Sequence, residues 1–281
     1  MIRLTPAERQ SVAQYIYSIC AISLDETKDY LIEGRLSGLI AETKSPSFTQ
    51  FLNLAKADSS GALRRKIIDE ITTGETLFFR DSSPFDLLRH KIIPEIIDRR
   101  NRSGARAPIR IWSAACSTGQ EIYSIAILLR ELLGDVTRYN IQLLGTDISD
   151  QAVARASKAI FSPIEISRGL SEAAKARSFV PDPAGWKLRD EIRGMASFRK
   201  LNLMEDFSSL GKFDVVFCRN VAIYFNERDR ASLFTRIGHR MESEGYLVIG
   251  SMESLSGICP EYEAKRHLRS VFYQLTSGQR T

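Results

Sequence analysis

The chain has 281 residues, of which 43% are hydrophobic and 26% charged, and its net charge is +5. This length allows one large or two modest domains, and the composition is that of an ordinary globular protein. No apolar stretch approaches the roughly 18 residues that a membrane span needs, and the first residues lack the pattern of a secretory signal. Four cysteines without paired spacing argue against a disulfide framework and a zinc site. We therefore expect a cytoplasmic protein with no metal and no membrane insertion.

Positive charge is concentrated between residues 89 and 110, where only Glu95 and Asp98 oppose it. No aromatic side chain that could stack on a base is interleaved there, so we expect no nucleic-acid partner. A solvated helix end and linker is the favoured interpretation, with attraction to an acidic protein surface as the functional alternative. The basic residues are Arg89, Lys91, Arg99, Arg100, Arg102, Arg106 and Arg110.

Residues 1–80 predict helices only. The first follows a capping box at Thr5–Glu8 with proline at its first position, and the others are predicted over Asp25–Thr43, from Ser47 and over Ala62–Ile71. The side chains expected to face inward from the second and third helices are Tyr30, Leu31, Leu36, Leu39, Ile40, Phe48, Phe51, Leu52 and Leu54. These residues indicate an all-helical N-terminal domain, whose basic edge is Arg64, Arg65 and Lys66.

Residues 81–107 read as a linker, made of a helix over Pro84–Arg100 and a loop at Asn101–Ala105. From residue 108 to 281, alternating strand and helix patterns predict an α/β domain with a mostly parallel sheet. The predicted strands are Ile109–Trp112, Ile141–Gly145, Val215–Phe217, Tyr246–Gly250 and Val271–Leu275. Two short alternating runs, Trp186–Arg189 and Ala196–Leu201, predict a small antiparallel β-subdomain near residues 178–201.

The first predicted strand leads through a turn of small residues into a helix over Gln120–Leu133. Such a turn lets a ligand approach the backbone, and the helix N-terminus offers unpaired N–H groups. In an open α/β sheet the turn lies at the carboxyl end of a strand, where ligands bind. Gly119 alone is too little for a dinucleotide fingerprint, so the turn predicts a nucleoside ligand without naming it.

Three further segments place polar residues at strand ends. Asp147 ends the second strand, where a carboxylate can accept both hydroxyls of a ribose. Asn202 and Leu203 follow a short apolar run and can address an adenine edge, and Asn220 follows another strand. Together these residues predict an adenosine-type pocket, but they leave the cofactor and the reaction open.

Four segments resemble the CheR family of chemotaxis receptor methyltransferases: Thr72–Asp81, Trp112–Ser124, Phe217–Phe225 and Gly245–Leu255. They occur in the order of the family, and the likeness covers nearly the whole chain. The resemblance implies a helical N-terminal domain, a Rossmann-like methyltransferase domain and a small β-subdomain. It also implies transfer of a methyl group from S-adenosylmethionine to glutamate side chains on the cytoplasmic domain of chemoreceptors, in adaptation of chemotaxis-type signalling. The products would be glutamate methyl ester and S-adenosylhomocysteine.

The resemblance also assigns roles to individual residues. Thr76 and Arg80 would lie at the methionine end of the cofactor, where Arg80 would pair with the carboxylate of the cofactor. Glu121 would lie beside the cofactor, Asp147 on the ribose, and Asn202 and Leu203 by the adenine. Asn220 and Val221 would close the pocket, and Tyr224 would lie beside the transferring methyl group. Tyr224 and Arg80 are thus the candidate catalytic residues. A glutamate carboxylate is already ionised near neutral pH, so no general base is expected and catalysis rests on positioning.

Two positions depart from the family pattern. Gly74 stands where the family usually has Asn, and Gln120 where it usually has Glu. Loss of an amide at position 74 removes one hydrogen bond, worth about 0.5–1.5 kcal/mol, so weaker cofactor binding is expected. These departures leave two alternatives open: a non-catalytic cofactor-binding scaffold, and a methyltransferase of another signalling protein. Docking of a receptor tail peptide at the β-subdomain also stays open, and a monomer is favoured.

Overall fold

The computed structural model describes residues 3–104 and 107–276. Ala105 of the predicted loop and Arg106 of the basic segment therefore lie outside the described residues, as do Met1 and Ile2. A helical part comes first, and an α/β part follows it. Within the described ranges, no helix combines the length and the apolar character that crossing a bilayer requires.

Four helices form the first part: α1 (Pro6–Cys20), α2 (Asp29–Glu42), α3 (Phe48–Ala57) and α4 (Ala62–Ile71). The predicted capping box is present, because the Thr5 hydroxyl accepts the N–H of Glu8 at 3.3 Å and the Glu8 carboxylate accepts the N–H of Thr5 at 3.2 Å. The side chains between the helices form one apolar core that includes Val12, Ile16, Ile32, Leu36, Leu39, Ile40, Phe48, Phe51, Leu52, Ile67 and Ile71.

Two inward side chains were predicted wrongly. Tyr30 is 68% exposed and Leu54 is 48% exposed, whereas Ile32 is fully buried. Each exposed residue lies two positions from a buried one, Ile32 or Leu52, which is about 200° around a helix. A dense run of apolar residues does not by itself show which face is buried.

The segment between the two parts is helical almost throughout. It contains α5 (Ser82–Leu87), a π-helical turn (Leu88–Ile92) and α6 (Ile93–Ser103). The loop predicted to begin at residue 101 therefore begins later, because α6 continues to a left-handed cap at Gly104 with φ 66°. The backbone N–H groups of residues 101–103 can continue the helix, and only the glycine ends it.

Several arginines of the basic segment pair with residues of the α/β part. Arg100 lies 2.8 Å from Asp214, and Arg89 lies 2.8 Å from Glu131. Arg110 donates to the backbone carbonyls of Leu210 and Lys212, at 2.9 and 2.8 Å. These contacts fix the linker helices to the α/β part, which explains much of the charge clustering structurally.

The α/β part holds ten strands: β1 (Ile109–Ala114), β2 (Ile141–Asp147), β3 (Ile160–Phe161), β4 (Phe179–Asp182), β5 (Gly185–Leu188), β6 (Ala196–Lys200), β7 (Phe213–Cys218), β8 (Met241–Ile249), β9 (Tyr262–His267) and β10 (Ser270–Leu275). The helices among them are α7 (Gln120–Leu133), α8 (Asp150–Lys158), α9 (Pro163–Ser167), α10 (Glu172–Ser178), α11 (Asp190–Arg193) and α12 (Glu227–Gly238). The main sheet has seven strands in the order β6-β2-β1-β7-β8-β10-β9. The first five strands in this order run parallel to one another. β10 runs antiparallel to both of its neighbours, β8 and β9.

A second sheet, β3-β5-β4, is antiparallel and forms the small subdomain. The prediction that Ala196–Leu201 belongs to this subdomain is wrong, because β6 pairs in parallel with β2, with Phe198 opposite Gly145. The alternating pattern of an edge strand is the same whichever sheet it joins, so the sequence did not reveal its partner.

Strand order places the ligand site. The chain runs outward from β1 through β2 to β6 and then returns to β7 on the other side of β1. A cleft opens at such a reversal, at the carboxyl ends of the parallel strands. Side chains of β1 alternate between two apolar layers, with Ile111 in one and Trp112 in the other. The sheet is thus covered on both faces, and the cleft lies above the carboxyl ends of β1 and β7.

Gly169, between α9 and α10, packs closely against the segment 72–81, which crosses the cleft. A Cβ on Gly169 (φ 98°) would lie 1.8 Å from the carbonyl oxygen of Phe78, whereas a Cβ on Gly257 (φ 77°) meets nothing within 4 Å. We expect Gly169→Ala to lower the melting temperature more than Gly257→Ala, whose cost is backbone strain of about 1 kcal/mol, or roughly 2–4 °C. Thermal unfolding followed by circular dichroism measures both, and equal losses would contradict the contact.

Candidate active site

A cavity of about 480 Å³ lies above the carboxyl ends of the parallel strands. Its walls come from the small-residue turn, from the ends of β2, β6 and β7, and from the segment 72–81, which we call the strap. All ten residues singled out from the sequence line it: Gly74, Thr76, Arg80, Glu121, Asp147, Asn202, Leu203, Asn220, Val221 and Tyr224. The fold therefore gathers residues that are up to 150 positions apart in sequence.

Asp147 ends β2 as a nearly buried carboxylate, 9% exposed. One oxygen accepts the N–H of Ser117 at 2.8 Å and the other accepts the N–H of Ser149 at 3.0 Å. Burial raises the pKa of this carboxyl group, although the backbone hydrogen bonds oppose the shift. Each oxygen has a second acceptor position, so the group can still bind the hydroxyls of a ribose.

The small-residue turn needs left-handed backbone. Ala115, Ser117 and Gly119 have φ of 59°, 50° and 96°. A Cβ on Gly119 would lie 3.1 Å from the Ala156 Cβ and 3.1 Å from the Tyr123 ring, so a side chain would crowd both. This turn brings the N-terminus of α7 to the cavity, where its free N–H groups favour an anionic or polar ligand.

The strap carries Arg80 across the cleft in an unusual conformation. Phe79 and Asp81 on either side have φ of 50° and 56°, which costs on the order of 1–3 kcal/mol for each such residue. The Phe79 N–H donates to the Ser124 hydroxyl at 2.8 Å, and the Arg80 guanidinium donates to the Glu75 carbonyl at 3.0 Å. Packing and hydrogen bonds therefore maintain a local geometry that the strap would not adopt alone.

Arg219, which the sequence analysis did not single out, lies at the centre of this arrangement. Its side chain is 1% exposed. One amino group donates to Glu121 at 2.9 Å, and the other donates to the Arg80 carbonyl and to Asp81, both at 2.8 Å. Its position directly after the strand residue Cys218, next to the predicted site residue Asn220, was the available signal.

Asn220 follows with φ of 58°, and its N–H donates to the Glu253 carboxylate at 2.8 Å. The same oxygen accepts the N–H of Gly250 at 2.7 Å, so Glu253 joins the ends of β7 and β8. Tyr224 follows in a short 3₁₀ turn, half-buried against the helical core, and its carbonyl accepts the N–H of Ser23 at 2.9 Å.

The helical part completes the cavity with residues that sequence reasoning missed. Cys20 and Ile22 line it from the end of α1, and Asp69 and Thr72 line it from the end of α4. Asn202 binds this part directly, since its amide nitrogen donates to the Ile19 carbonyl at 3.2 Å. Its amide oxygen accepts the N–H of Met204 at 3.0 Å and its backbone carbonyl accepts the N–H of Glu205 at 2.9 Å, while the amide nitrogen keeps a second N–H.

The two departures from the family pattern both lie in the cavity wall. The Gly74 carbonyl accepts the Ser117 hydroxyl at 2.8 Å, and a Cβ there would stand 3.5 Å from that hydroxyl, an ordinary contact. Gln120 is 1% exposed and its amide nitrogen donates to Glu165 at 3.2 Å. Position 74 thus has room for a side chain, and position 120 is joined to the subdomain.

Cysteine chemistry receives no support from the cavity wall. Burial raises the pKa of the Cys116 and Cys218 thiols well above the usual value, which disfavours the thiolate that a nucleophile requires. In residues 3–104 and 107–276, no three side chains among histidines, cysteines and carboxylates are grouped as metal ligands.

Comparison with known proteins decides the family. Residues 7–72 match the family model described as "CheR methyltransferase, all-alpha domain", and residues 74–270 match "CheR methyltransferase, SAM binding domain". The chain belongs to the CheR methyltransferase family. It is 37% identical to "Chemotaxis protein methyltransferase Cher2" of Pseudomonas putida, over 92% of this chain and 94% of that protein. It is 34% identical to "Chemotaxis protein methyltransferase 1" of Vibrio cholerae, over 98% of both.

The buried carboxylate predicts how affinity for S-adenosylhomocysteine, written SAH below, depends on pH. Ribose hydroxyls that donate to Asp147 would favour its ionised form, so binding would lower a pKa that burial has raised, and protons would be released. We expect the affinity to fall as the pH is lowered, beginning at a higher pH than for an ordinary aspartate.

Isothermal titration at each pH measures this dependence. Asp147→Asn, which cannot titrate, is the control: its affinity should be lower and flatter with pH. An identical pH dependence in the variant would assign the titration to another group.

Proposed function

We propose that this protein transfers the methyl group of S-adenosylmethionine to glutamate side chains of chemoreceptors. The products are a glutamate methyl ester and SAH. The observation that carries the proposal is the convergence of ten residues, from the strap and several strand ends, on one cavity in a chain of the CheR family. Neither departure from the family pattern closes this cavity, so no observation favours a non-catalytic scaffold.

The cavity wall fits the cofactor in the order that the strands impose. Asp147 accepts the ribose hydroxyls, and the backbone at Asn202 with the Leu203 side chain borders the adenine. Thr76 and Arg80 hold the methionine end, where the Arg80 guanidinium pairs with the carboxylate. Asn220 and Val221 close the wall beside Tyr224, and Glu121 also lines the cavity.

The chemistry asks little of the protein beyond placement. The cofactor supplies a methyl group on a positively charged sulfur, and an ionised glutamate needs no base to accept it. Tyr224 directs its hydroxyl to the acceptor carboxylate, and Arg80 keeps the methionine arm in place. Holding the reacting groups in line supplies the main rate enhancement.

The partner is the cytoplasmic domain of a chemoreceptor, and the reaction takes place in the cytoplasm. The helical part (residues 1–80) borders the cavity and is the candidate surface for the methylated region. The β3-β5-β4 subdomain is the candidate surface for a receptor tail peptide.

Gly74 provides a direct test of cofactor geometry. Gly74→Asn places an amide at the cavity wall without steric conflict, since the Cβ contact is 3.5 Å. One added hydrogen bond of about 0.5–1.5 kcal/mol should raise SAH affinity roughly two- to tenfold in isothermal titration. Gly74→Ala controls for backbone stiffening, and equal effects of the two variants would mean that the amide makes no contact.

Receptor methylation tests the function itself. The protein is incubated with S-adenosylmethionine labelled in the methyl group and with a chemoreceptor cytoplasmic fragment. We expect label in the receptor that alkali releases as methanol, the behaviour of a carboxyl ester, and none in a receptor whose acceptor glutamates are replaced by alanine. Label that withstands alkali, or that appears in another protein, would contradict the proposal.

Tyr224 is tested in the same assay. Tyr224→Phe should lower kcat roughly tenfold, within the range for loss of one orienting group, and leave SAH affinity unchanged. Tyr139→Phe is the matched control, because Tyr139 lies before β2 at the opposite end of the sheet. Equal kcat for the two variants would remove Tyr224 from catalysis.

A further inference from the structure

Arg219 is a buried charge to which the proposed reaction assigns no step. Its guanidinium is shielded from solvent, so it cannot reach an acceptor glutamate in this geometry. Its Nε is buried without a hydrogen-bond partner among the described residues, while its two amino groups make every polar contact that is seen. A buried arginine requires such partners, because its charge has been removed from water.

The partners belong to two different walls of the cavity. Glu121 lies in the first turn of α7, and it also accepts the Ser113 hydroxyl at 2.7 Å. Asp81 and the Arg80 carbonyl belong to the strap. Arg219 is therefore the only described side chain that bonds directly to both Glu121 and the strap backbone around Arg80.

The backbone around Arg80 makes this connection consequential. The left-handed residues Phe79 and Asp81 set the direction in which the Arg80 side chain leaves the strap. The Phe79 N–H donates to the Ser124 hydroxyl, and the Asp81 carboxylate accepts from Arg219. Two side chains of the α/β part therefore hold the strap on both sides of Arg80. Without the contact between Arg219 and Asp81, the strap would relax and the Arg80 side chain would leave its place in the cavity wall.

We propose that Arg219 is a positioning residue that sets Arg80 and Glu121 against the cofactor as one unit. This inference rests on the proposed function for its effect on methyl transfer, but not for its effect on SAH binding. A planar guanidinium can bond three acceptors in fixed directions, whereas an ammonium on the same stem acts as a point charge. Lysine at this position would keep the charge and lose the geometry.

The test is a double-mutant cycle between Arg219→Lys and Arg80→Ala, with SAH affinity measured by isothermal titration. We expect each single variant to weaken binding about tenfold and the double variant to be weaker than Arg80→Ala alone by clearly less than tenfold, because Arg219 acts largely through Arg80. Independent effects that multiply would overturn the proposal, and so would wild-type affinity in Arg219→Lys.

A merely structural role is separated by a matched arginine. Arg100 also binds a buried carboxylate, Asp214, but lies away from the cavity. Arg100→Lys should lower the melting temperature and leave SAH affinity and kcat unchanged, whereas Arg219→Lys should lower kcat at least tenfold and leave the KM for the receptor within about threefold. Equal effects of the two variants on kcat would refute positioning.

If Arg219→Lys does not fold, Asp81→Asn replaces it in the cycle. The Asp81 side chain is 39% exposed, so its substitution spares the core while it weakens the grip of Arg219 on the strap. Coupling with Arg80→Ala supports the proposal, and additivity refutes it. If the wild-type protein binds SAH but methylates no receptor, the proposed function fails while the binding cycle still decides the role of Arg219.

Discussion

The walls of the cavity depend on one buried positive charge. Arg219 comes from the end of β7, Glu121 from the first turn of α7 and Asp81 from the strap. Moving a guanidinium from water into a protein costs several kcal/mol, and the carboxylates of Glu121 and Asp81 offset much of that cost. The α7 N-terminus also favours the negative charge of Glu121. This ionic cluster therefore fixes the positions of three chain segments relative to one another.

The helical part is held to the same edge of the sheet by bonds that end next to site residues. Ser149 lies two residues after Asp147, and its hydroxyl donates to Asp69 at 2.6 Å. The N–H of Ser23 donates to the Tyr224 carbonyl, and Asn202 donates to the end of α1. Docking of the helical part and completion of the cavity are therefore the same event. Motion between the two parts would change the cavity wall at Asp147, Asn202 and Tyr224 together.

The sequence predicted the parts of the site that follow from strand polarity. Asp147 ends β2 and Asn220 lies two residues after β7, and parallel strands bring their carboxyl ends to one edge. The strap became recognisable only through its family resemblance, since Phe79 carries no turn signature and Asp81 is of a residue type common in turns and helix caps alike. Arg219 could not be predicted as buried, because a single arginine normally indicates a surface and its carboxylate partners are far away in sequence. The position of β6 was missed for the same reason: the partner of a strand is a long-range property.

Gln120 shows how neighbouring residues accommodate a departure from the family pattern. Gln120 donates to Glu165, which also pairs with Arg155 at 3.0 Å, and it accepts the Thr118 hydroxyl at 2.8 Å. A glutamate at 120 would bring a second carboxylate to within hydrogen-bond distance of Glu165, and two like charges so close would raise the pKa of one of them. Glutamine avoids that conflict and keeps α7 joined to the subdomain. The structure thus accommodates glutamine at this position of the cavity wall through the neighbouring Glu165.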